Sequence, residues 1–267
     1  MTMPYAEYEA LPGLRWSTLK NVGDSMLHFA HARDNGGGDS QAMFIGRAVH
    51  CAVFEPDELP LRYVVWKGGD KRGAAWTEFK AANPDAEILK QCEYERCLAI
   101  RDAVHNHPAA GRLLTGESEV VKQWTDADTG LACKCRIDHL TDSMRIDLKT
   151  TTTIDKRLFE ISAAKYQYHG QDAFYGRSDA ALRDLPSGII AVESEAPYDV
   201  AVFVYSDFAR SYGDGLVSEY LRAVKACEAS GQWPGRYEGV QELCLPAWME
   251  NEADDTGLGI TIGGERS

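Results

Sequence analysis

The segment from Lys134 to Thr150, near the middle of the chain, constrains the fold more than any other. Its alternation of apolar and polar residues predicts two short strands joined by a polar turn. Asp138 lies on the first predicted strand, and Asp147 and Lys149 lie on the second. Side chains two residues apart on a strand share a face, so Asp147 and Lys149 point the same way, and a hairpin brings Asp138 beside them.

Two carboxylates and one ammonium group on a common surface are typical of a metal-binding hydrolytic site. Carboxylates held close together repel each other, and a hard divalent cation such as Mg²⁺ relieves that repulsion. A lysine beside the cation can position or deprotonate a water molecule, as metal-assisted phosphodiester hydrolysis requires. The alternative is a solvent-exposed hairpin face that carries a salt bridge. Spacing alone leaves both interpretations open.

The order of the remaining patterns predicts an α+β fold of the α/β/α type, in which helices flank a central mixed sheet. Helices are expected at 41–54, 86–106, 155–164, 166–182 and 208–230, and strands at 61–66, 119–125, 131–140, 144–150, 189–193 and 198–205. Neither a repeat nor a linker divides the chain. We therefore expect one domain over residues 1–248, followed by a loose, acidic and glycine-rich tail over residues 249–267.

The overall charge restricts the function classes. The chain has a formal net charge of −13, from 28 basic and 41 acidic residues, which argues against a protein that coats DNA. A nuclease is compatible with this charge if basic side chains line one channel, and the candidates are Lys67, Lys71, Arg72, Arg136 and Lys156. No apolar run approaches the roughly 20 residues of a membrane span, and the N-terminus does not resemble a secretion signal. We therefore expect a cytoplasmic protein whose scattered cysteines are free thiols.

Two residues outside the hairpin are further candidates for metal ligands. His50 follows Gly46 by four residues on a predicted helix, so the two share a face, and a neutral imidazole is a common metal ligand. The alternative is a histidine packed beside Ala48 and Val49. Glu119 begins the strand before the hairpin, where it would add a third carboxylate near the site, or it is an exposed residue at a strand start.

Several polar residues are candidates for binding phosphate or supporting the site. Gln171 and Tyr175 are four residues apart on a predicted helix and project together, as does the polar edge of any amphipathic helix. Arg136 shares the face of Asp138, where it would bind a phosphate or form a salt bridge. Ser17 and Lys20 begin a predicted helix with Ser17 as its cap, and a helix N-terminus can also bind a terminal phosphate.

Taken in order, these elements resemble the exonuclease VIII (RecE-type) branch of the PD-(D/E)XK nuclease superfamily, related to the RecB nuclease domain and more distantly to lambda exonuclease. The matching elements run from Trp16 to Trp248. They are Ser17-Thr18-Leu19-Lys20, Gly46-Arg47-Ala48-Val49-His50, Glu55-Pro56, His107-Pro108, Glu119, Gly130-Leu131, Lys134-x-Arg136-x-Asp138, Asp147-Leu148-Lys149-Thr150, Gln171-x-x-x-Tyr175, Val192-Glu193, Pro197-Tyr198 and Trp233-Pro234-Gly235. Each element is weak alone, whereas their joint order is specific.

The resemblance implies a set of metal ligands. His50, Asp138 and Asp147 correspond to the residues that bind a divalent metal in that family, with help from the main-chain carbonyl of Leu148. Glu119 corresponds to an additional acid near a second metal. The expected cofactor is Mg²⁺, with Mn²⁺ as a substitute. An iron–sulfur cluster is not expected, because such a cluster needs grouped cysteines.

The resemblance also implies an activity and partners. Lys149 would activate the attacking water, and Gln171 and Tyr175 would support the site and contact DNA. The family degrades one strand of linear duplex DNA, typically in the 5′ to 3′ direction, within a homo-oligomeric ring (a trimer or a tetramer). Its product serves a single-strand annealing protein in recombination, often of phage origin. The alternative is a non-catalytic DNA-end-binding or assembly protein on a nuclease fold.

Overall fold

The computed structural model describes residues 3, 5–36, 38, 40–84 and 86–244 of the chain. Its helices are α1 (Tyr5–Ala10), α2 (Trp16–Leu19), α3 (Met26–Asn35), α4 (Gln41–Phe54), α5 (Leu59–Arg62), α6 (Gly73–Ala82), α7 (Gln91–Asn106), α8 (Lys156–Lys165), α9 (Tyr168–Gly176), α10 (Ala180–Asp184) and α11 (Asp207–Ser230). Its strands are β1 (Tyr63–Trp66), β2 (Glu87–Lys90), β3 (Glu117–Thr125), β4 (Ala132–Leu140), β5 (Arg145–Thr151), β6 (Ser187–Glu193) and β7 (Val200–Val204). Short 3₁₀ turns occur at Lys20–Gly23 and Gly111–Leu113. The predicted tail at 249–267 lies outside the described residues.

The central sheet has the strand order β3-β4-β5-β6-β7. Neighbouring strands are antiparallel except β5 and β6, which are parallel. A parallel pair needs a long crossover connection, and here α8, α9 and α10 supply it. A separate small sheet joins β1 and β2 in parallel. The predicted α+β fold with a mixed central sheet is confirmed.

Helices cover both faces of the sheet, which makes the α/β/α layering. On one face, α4 and α7 bury Val49 and Ile100 against the apolar side chains of β5 and β6. On the other face, α9 and α11 bury Phe174 and Val217 against β4. Alternation along β5 therefore directs Leu148 into the α4–α7 layer, while its neighbours Asp147 and Lys149 face α9. Among the described residues, no helix is both long enough and apolar enough to cross a bilayer.

The helix predicted at 86–106 begins later than the pattern indicates. Its first residues form β2 (Glu87–Lys90), which pairs with β1. The Glu93 side chain accepts a hydrogen bond from the Lys90 N–H (2.7 Å), so it caps the helix and sets its start at Gln91. Pairing with a strand distant in sequence outweighs the local helical spacing, because strand formation depends on such neighbours.

The predicted cap of the first helix is wrong. Arg15 occupies the N-cap position of α2 with an extended backbone (φ −116°), and Ser17 lies inside the helix. The buried Trp16 ring packs where Gly170 of α9 lacks a side chain, and this contact starts the helix before Ser17. The Ser17 carbonyl accepts a hydrogen bond from the Asn21 amide (3.0 Å).

The helix predicted at 166–182 is divided into α9 and α10. Gln167 adopts a left-handed conformation (φ 56°) and occupies the N-cap position of α9. Asp179 caps α10 by accepting a hydrogen bond from the Ala181 N–H (3.0 Å). Because of these two breaks, the direction of α9 differs from that of its neighbouring helices, and its polar side faces β5.

Candidate active site

The candidate site lies where β4 and β5 separate. Pairing between these described strands is confined to the hairpin end, at His139 and Leu140 of β4. Just beyond it, Asp138 Oδ2 accepts a hydrogen bond from the Leu148 N–H (2.9 Å), so a side chain replaces the strand partner. The N–H and C=O of one strand residue point to the same side, so the Leu148 carbonyl also faces this gap. The gap therefore presents a carboxylate and a main-chain oxygen, which are ligands that hard cations prefer.

A hydrogen-bonded network from α9 holds the lysine of β5. Lys149 Nζ lies 2.6 Å from Asp147 Oδ2, donates to Gln171 Oε1 (3.3 Å) and lies 5.1 Å from the centre of the Tyr168 ring. The Gln171 amide donates to Asp147 Oδ1 (2.8 Å) and approaches the Tyr175 hydroxyl (3.4 Å). The four-residue spacing of Gln171 and Tyr175 thus places both on the site side of α9. Lys149 is held by an acid, an amide and an aromatic face.

The electrostatic environment shifts the pKa values of Asp138 and Asp147 in opposite directions. Their side chains are within hydrogen-bond reach of each other and only 13% (Asp138) and 17% (Asp147) exposed. Burial and the charge of Asp138 raise the pKa of Asp147 to about 7, although Lys149 opposes them. Burial acts in the same direction on Asp138, but His50, Lys149 and the Leu148 N–H outweigh it and lower its pKa. Asp138 therefore stays ionised, whereas Asp147 needs a proton or a cation near neutral pH.

The ammonium group of Lys149 remains charged in this environment. Burial lowers the pKa of Lys149, but the charges of Asp147 and Asp138 outweigh burial, so the net shift is upward. Burial raises the pKa of the Tyr175 hydroxyl well above its ordinary value, so it keeps its proton. Both groups are therefore hydrogen-bond donors at neutral pH.

The imidazole of His50 approaches the gap from α4. Its Nδ1 lies 3.4 Å from Asp138 Oδ2. The ring lies edge-on to Phe54, with 6.2 Å between centroids, and Phe54 stacks on His139 (5.1 Å, 4° between planes). His139 Nδ1 in turn lies 3.0 Å from Ser118 Oγ. A chain of packed rings thus orients His50, whose side chain is 24% exposed.

A third carboxylate lies on β3. Glu119 has a left-handed backbone (φ 57°), an uncommon and strained conformation for a residue other than glycine, between two positions that pair with β4. Arg136 Nε lies 2.5 Å from Glu119 Oε2, and its guanidinium lies 5.6 Å from the Tyr5 ring centre. Burial and the charge of Asp138 raise the pKa of Glu119 to about 7, against the effect of Arg136. Glu119 therefore senses the negative charge of Asp138, and its pairing with Arg136 offsets this effect only in part.

The turn that follows α2 carries a second lysine, Lys20. Trp16 packs on α9 beside Gly170, and Lys20 follows Trp16 by one helical turn. Burial and the nearby charge of Lys149 lower the pKa of Lys20. Lys20 therefore senses the charge of Lys149, and both Lys20 and Ser17 are exposed.

The donor types fit a hard divalent cation, although the side chains are not gathered around a common centre. Within the described part of the chain, no group of three or more histidine, cysteine, aspartate or glutamate side chains is close enough to hold a metal ion. Lys149 engages Asp147, and Arg136 engages Glu119. His50, Asp138, Asp147 and the Leu148 carbonyl are oxygen and nitrogen donors suited to Mg²⁺ or Mn²⁺. A bound cation would stabilise the ionised form of Asp147 and would lower its raised pKa.

Most residues predicted to line a basic channel lie beside acidic residues, and Lys71 lies 4.0 Å from Glu93. Arg72 pairs with Asp70 (2.9 Å), Lys156 lies 3.8 Å from Glu160, and Arg136 pairs with Glu119. Lys67 is exposed after β1. Lys71 lies in a groove beside α4, between the rings of Phe44 and Trp76.

The sequence interpretation missed two contributors to the site. Tyr168 supports Lys149, and Phe54 orients His50. Tyr168 precedes Gln171 by three residues and Phe54 follows His50 by four, so helical spacing was the available signal for both. That signal was not distinctive, because aromatic residues at such spacings usually belong to the core.

Comparison with known proteins agrees with this fold. A family described as a PDDEXK-like domain of unknown function (DUF3799) matches residues 16–245. The chain is also similar to a crystal structure of a “putative exonuclease” from Eubacterium rectale, with a TM-score of 0.60 and 15% sequence identity over 97% of this chain and 100% of that chain. At that identity the likeness supports the fold alone. No curated protein matches the chain.

The fold and the arrangement of Asp138, Asp147 and Lys149 define a PD-(D/E)XK nuclease-type domain. Because the family match spans most of the chain, the protein belongs to the family of PDDEXK-like domains. The predicted superfamily is therefore confirmed, and the narrower kinship with exonuclease VIII is a proposal.

Proposed function

We propose that the protein is a Mg²⁺-dependent exodeoxyribonuclease of the exonuclease VIII type. It would degrade one strand of linear double-stranded DNA in the 5′ to 3′ direction. The proposal rests on one observation: two different groups of polar side chains face each other across the β4–β5 gap. On one side, Lys149 is held against Asp147 by Gln171, and on the other, His50 approaches Asp138.

His50, Asp138, Asp147 and the Leu148 carbonyl would hold the cation, with Glu119 as a candidate ligand for a second one. A bound Mg²⁺ or Mn²⁺ supplies Lewis-acid stabilisation of the negative charge on the phosphate. Asp147 would exchange its proton for this cation, because burial and the charge of Asp138 make its negative charge unfavourable near neutral pH, even beside Lys149.

Lys149 would orient the attacking water and stabilise the developing charge. Its ammonium group keeps its charge, and Gln171 and Tyr168 fix its direction. Tyr175 would fix Gln171 and contact DNA. A group held in place before the reaction does not need to reorganise during it, which favours catalysis.

Three more residues would bind phosphates away from the scissile bond. Lys20 is an ammonium group that senses the charge of Lys149, and it directly follows α2, the short helix that carries Ser17. Arg136 would exchange its contact with Glu119 for a phosphate oxygen when the acid is protonated or binds a cation.

The wider biological role rests on the resemblance to exonuclease VIII. We propose a homo-oligomeric ring, a trimer or a tetramer, that acts at double-stranded DNA ends. The single strand that it leaves would pass to a single-strand annealing protein for recombination, in a phage-related setting in the cytoplasm.

One assay tests activity, metal requirement and polarity together. A linear duplex labelled at one 5′ end or one 3′ end is incubated with the protein, with and without Mg²⁺ or Mn²⁺. We expect metal-dependent release of mononucleotides from the 5′ end first. Asp138→Asn should be inactive, and Asp142→Asn, in the exposed turn of the same hairpin, is the matched control. Release without added metal in the presence of a chelator, or no release at all, would contradict the proposal.

A second candidate function is a non-catalytic DNA-end-binding or assembly protein. The observation in its favour is that Lys149 and Arg136 already pair with two of the site's carboxylates, Asp147 and Glu119. Such a protein would bind duplex ends with equal affinity in Mg²⁺ and in chelator and would release no nucleotides.

A further inference from the structure

A groove separate from the candidate active site lies beside the first turns of α4. It has a volume of about 330 Å³, and the residues that matter to its chemistry are Phe44, Lys71, Trp76 and Lys80. This volume is at the lower end of small-ligand pockets, roughly 300–1,000 Å³. The groove therefore fits a single base with its phosphate better than a duplex.

The aromatic wall of the groove is supported by other aromatic rings. Trp76 packs edge-on against Trp66 (5.5 Å between centroids) and lies 6.4 Å from Phe79. The Lys71 ammonium lies 5.8 Å from the Trp76 ring centre and 5.7 Å from that of Phe44. Aromatic rings fixed in this way are stacking platforms for nucleobases, because every base has a π-face.

The groove also carries positive charge on a strongly acidic protein. Lys71 is fixed by donating to the Ile88 carbonyl (2.7 Å). Lys80 is exposed, and among the described residues it forms no ion pair. Glu93, which lies 4.0 Å from Lys71, already accepts hydrogen bonds from the Lys90 N–H and the Gln41 amide. Its charge is thus partly offset by donors of the protein itself.

One helix connects the groove to the active site. Phe44 lines the groove and His50 reaches the β4–β5 gap, and both lie on α4. From the helix start at Gln41 to His50 is about 14 Å at 1.5 Å per residue. A stacked strand advances about 3.4 Å per nucleotide, so this distance corresponds to about four nucleotides.

We propose that this groove binds unpaired, single-stranded DNA, with a base stacked on Trp76 and phosphates near Lys71 and Lys80. This inference rests on the proposed nuclease function and specifies which form of DNA the protein prefers. A duplex with a single-stranded tail should bind better than a blunt duplex. Single-stranded DNA is favoured because a base stacks on a side chain only when it is free of its paired strand.

The test measures affinity for a labelled blunt duplex and for the same duplex with an oligothymidine tail at either end, by fluorescence anisotropy. The full chain is used in the Lys149→Ala background, so that the DNA stays intact. Trp76→Ala should weaken binding of the tailed duplex by about tenfold, and Trp76→Phe should keep most of the affinity. Lys80→Gln should reduce the slope of log affinity against log salt by roughly 0.7. Lys225→Gln, an exposed lysine on α11, is the matched control.

Each outcome separates this inference from the function on which it rests. If Trp76→Ala and Lys80→Gln bind the tailed duplex as tightly as the parent, or if only an acidic peptide competes for the groove, the inference is overturned, while DNA hydrolysis by the wild type would still support the proposed function. Suppose instead that the wild type hydrolyses no DNA, while Trp76→Ala abolishes the preference for the tailed duplex. The groove assignment then stands and the nuclease proposal falls. Should Trp76→Ala fail to fold, judged by circular dichroism, the exposed Lys80→Gln variant decides.

Discussion

The two sides of the β4–β5 gap differ in how tightly their side chains are held. On the α9 side, Lys149, Asp147 and Gln171 form a closed network with distances of 2.6, 2.8 and 3.3 Å. On the α4 side, His50 and Asp138 lie 3.4 Å apart, and packing of rings holds the imidazole. The difference suggests a division of labour, in which the α9 side supplies the chemistry and the α4 side supplies much of the cation affinity.

The largest effect is expected on the α9 side. Lys149→Ala should lower the rate of DNA hydrolysis by about 10²- to 10³-fold, the range for a group that stabilises the charge that develops in the transition state. Single-turnover hydrolysis at saturating Mg²⁺ measures it, and Lys225→Ala on α11 is the control. Digestion by Lys149→Ala at the wild-type rate would show that this side does not supply the chemistry.

On the α4 side we expect a change in metal dependence. His50→Ala should raise the Mg²⁺ or Mn²⁺ concentration for half-maximal activity by about 10- to 100-fold. The rate at saturating metal should fall less than in Lys149→Ala. A metal titration of activity measures both quantities, with His31→Ala, an exposed histidine on α3, as the control. Equal metal dependence in His50→Ala and the wild type would remove His50 from the ligand set.

A smaller effect is expected when the network loses its amide. Gln171→Ala should lower the hydrolysis rate by about tenfold, because Lys149 loses an oriented partner but keeps Asp147. The metal dependence should stay nearly unchanged, which distinguishes this variant from His50→Ala. The same titration serves as the measurement, and the exposed Gln123→Ala is the control. A rate loss as large as that of Lys149→Ala would mean that Gln171 acts directly on the substrate.

The smallest effect concerns stability. The pKa of Asp147 is raised to about 7 in the folded protein, so the folded state binds more protons than the unfolded state between about pH 4 and pH 7. The free energy of unfolding of the metal-free protein should therefore fall as the pH rises through this window. From pH 5 to pH 7 we expect a loss of about 2 kcal/mol from this group.

Denaturant unfolding at several pH values in chelator measures this dependence. Glu119, whose pKa is also raised to about 7, contributes in the same direction. Asp147→Asn should flatten the curve in part, and Mg²⁺ should flatten it in the wild type. A stability that rises from pH 5 to pH 7 in chelator would contradict the assignment of Asp147 as the carboxylate that needs neutralisation.

Local patterns were sufficient for the elements whose signals lie within a few residues. The helix at Gln41–Phe54 has the predicted bounds because Ser40 caps it and Glu55-Pro56 follows it. The common face of Asp147 and Lys149 follows from strand alternation alone. The α+β class follows from the order of the patterns.

Patterns failed where a distant neighbour decided the outcome. Residues 87–90 form a strand because β1 lies beside them, and α2 begins before Ser17 because Trp16 packs on α9. The position of His50 beside Asp138 was implied by the family resemblance, and its spacing on α4 did not demand it. Neither helical nor strand periodicity carries information about such contacts, since each describes one element at a time.

The chain's residue order alone specified a paired acid and lysine on one strand, a candidate imidazole on one helix and a mixed α+β architecture. The separation of β4 from β5, the capture of Lys149 by α9 and the neutralisation of Glu119 by Arg136 required the packed molecule. The physical reason is that alternation and helical spacing are local, whereas burial and charge coupling depend on every element that surrounds a group. That is why the pKa values of Asp138 and Asp147 move apart, although both are aspartates of the same hairpin.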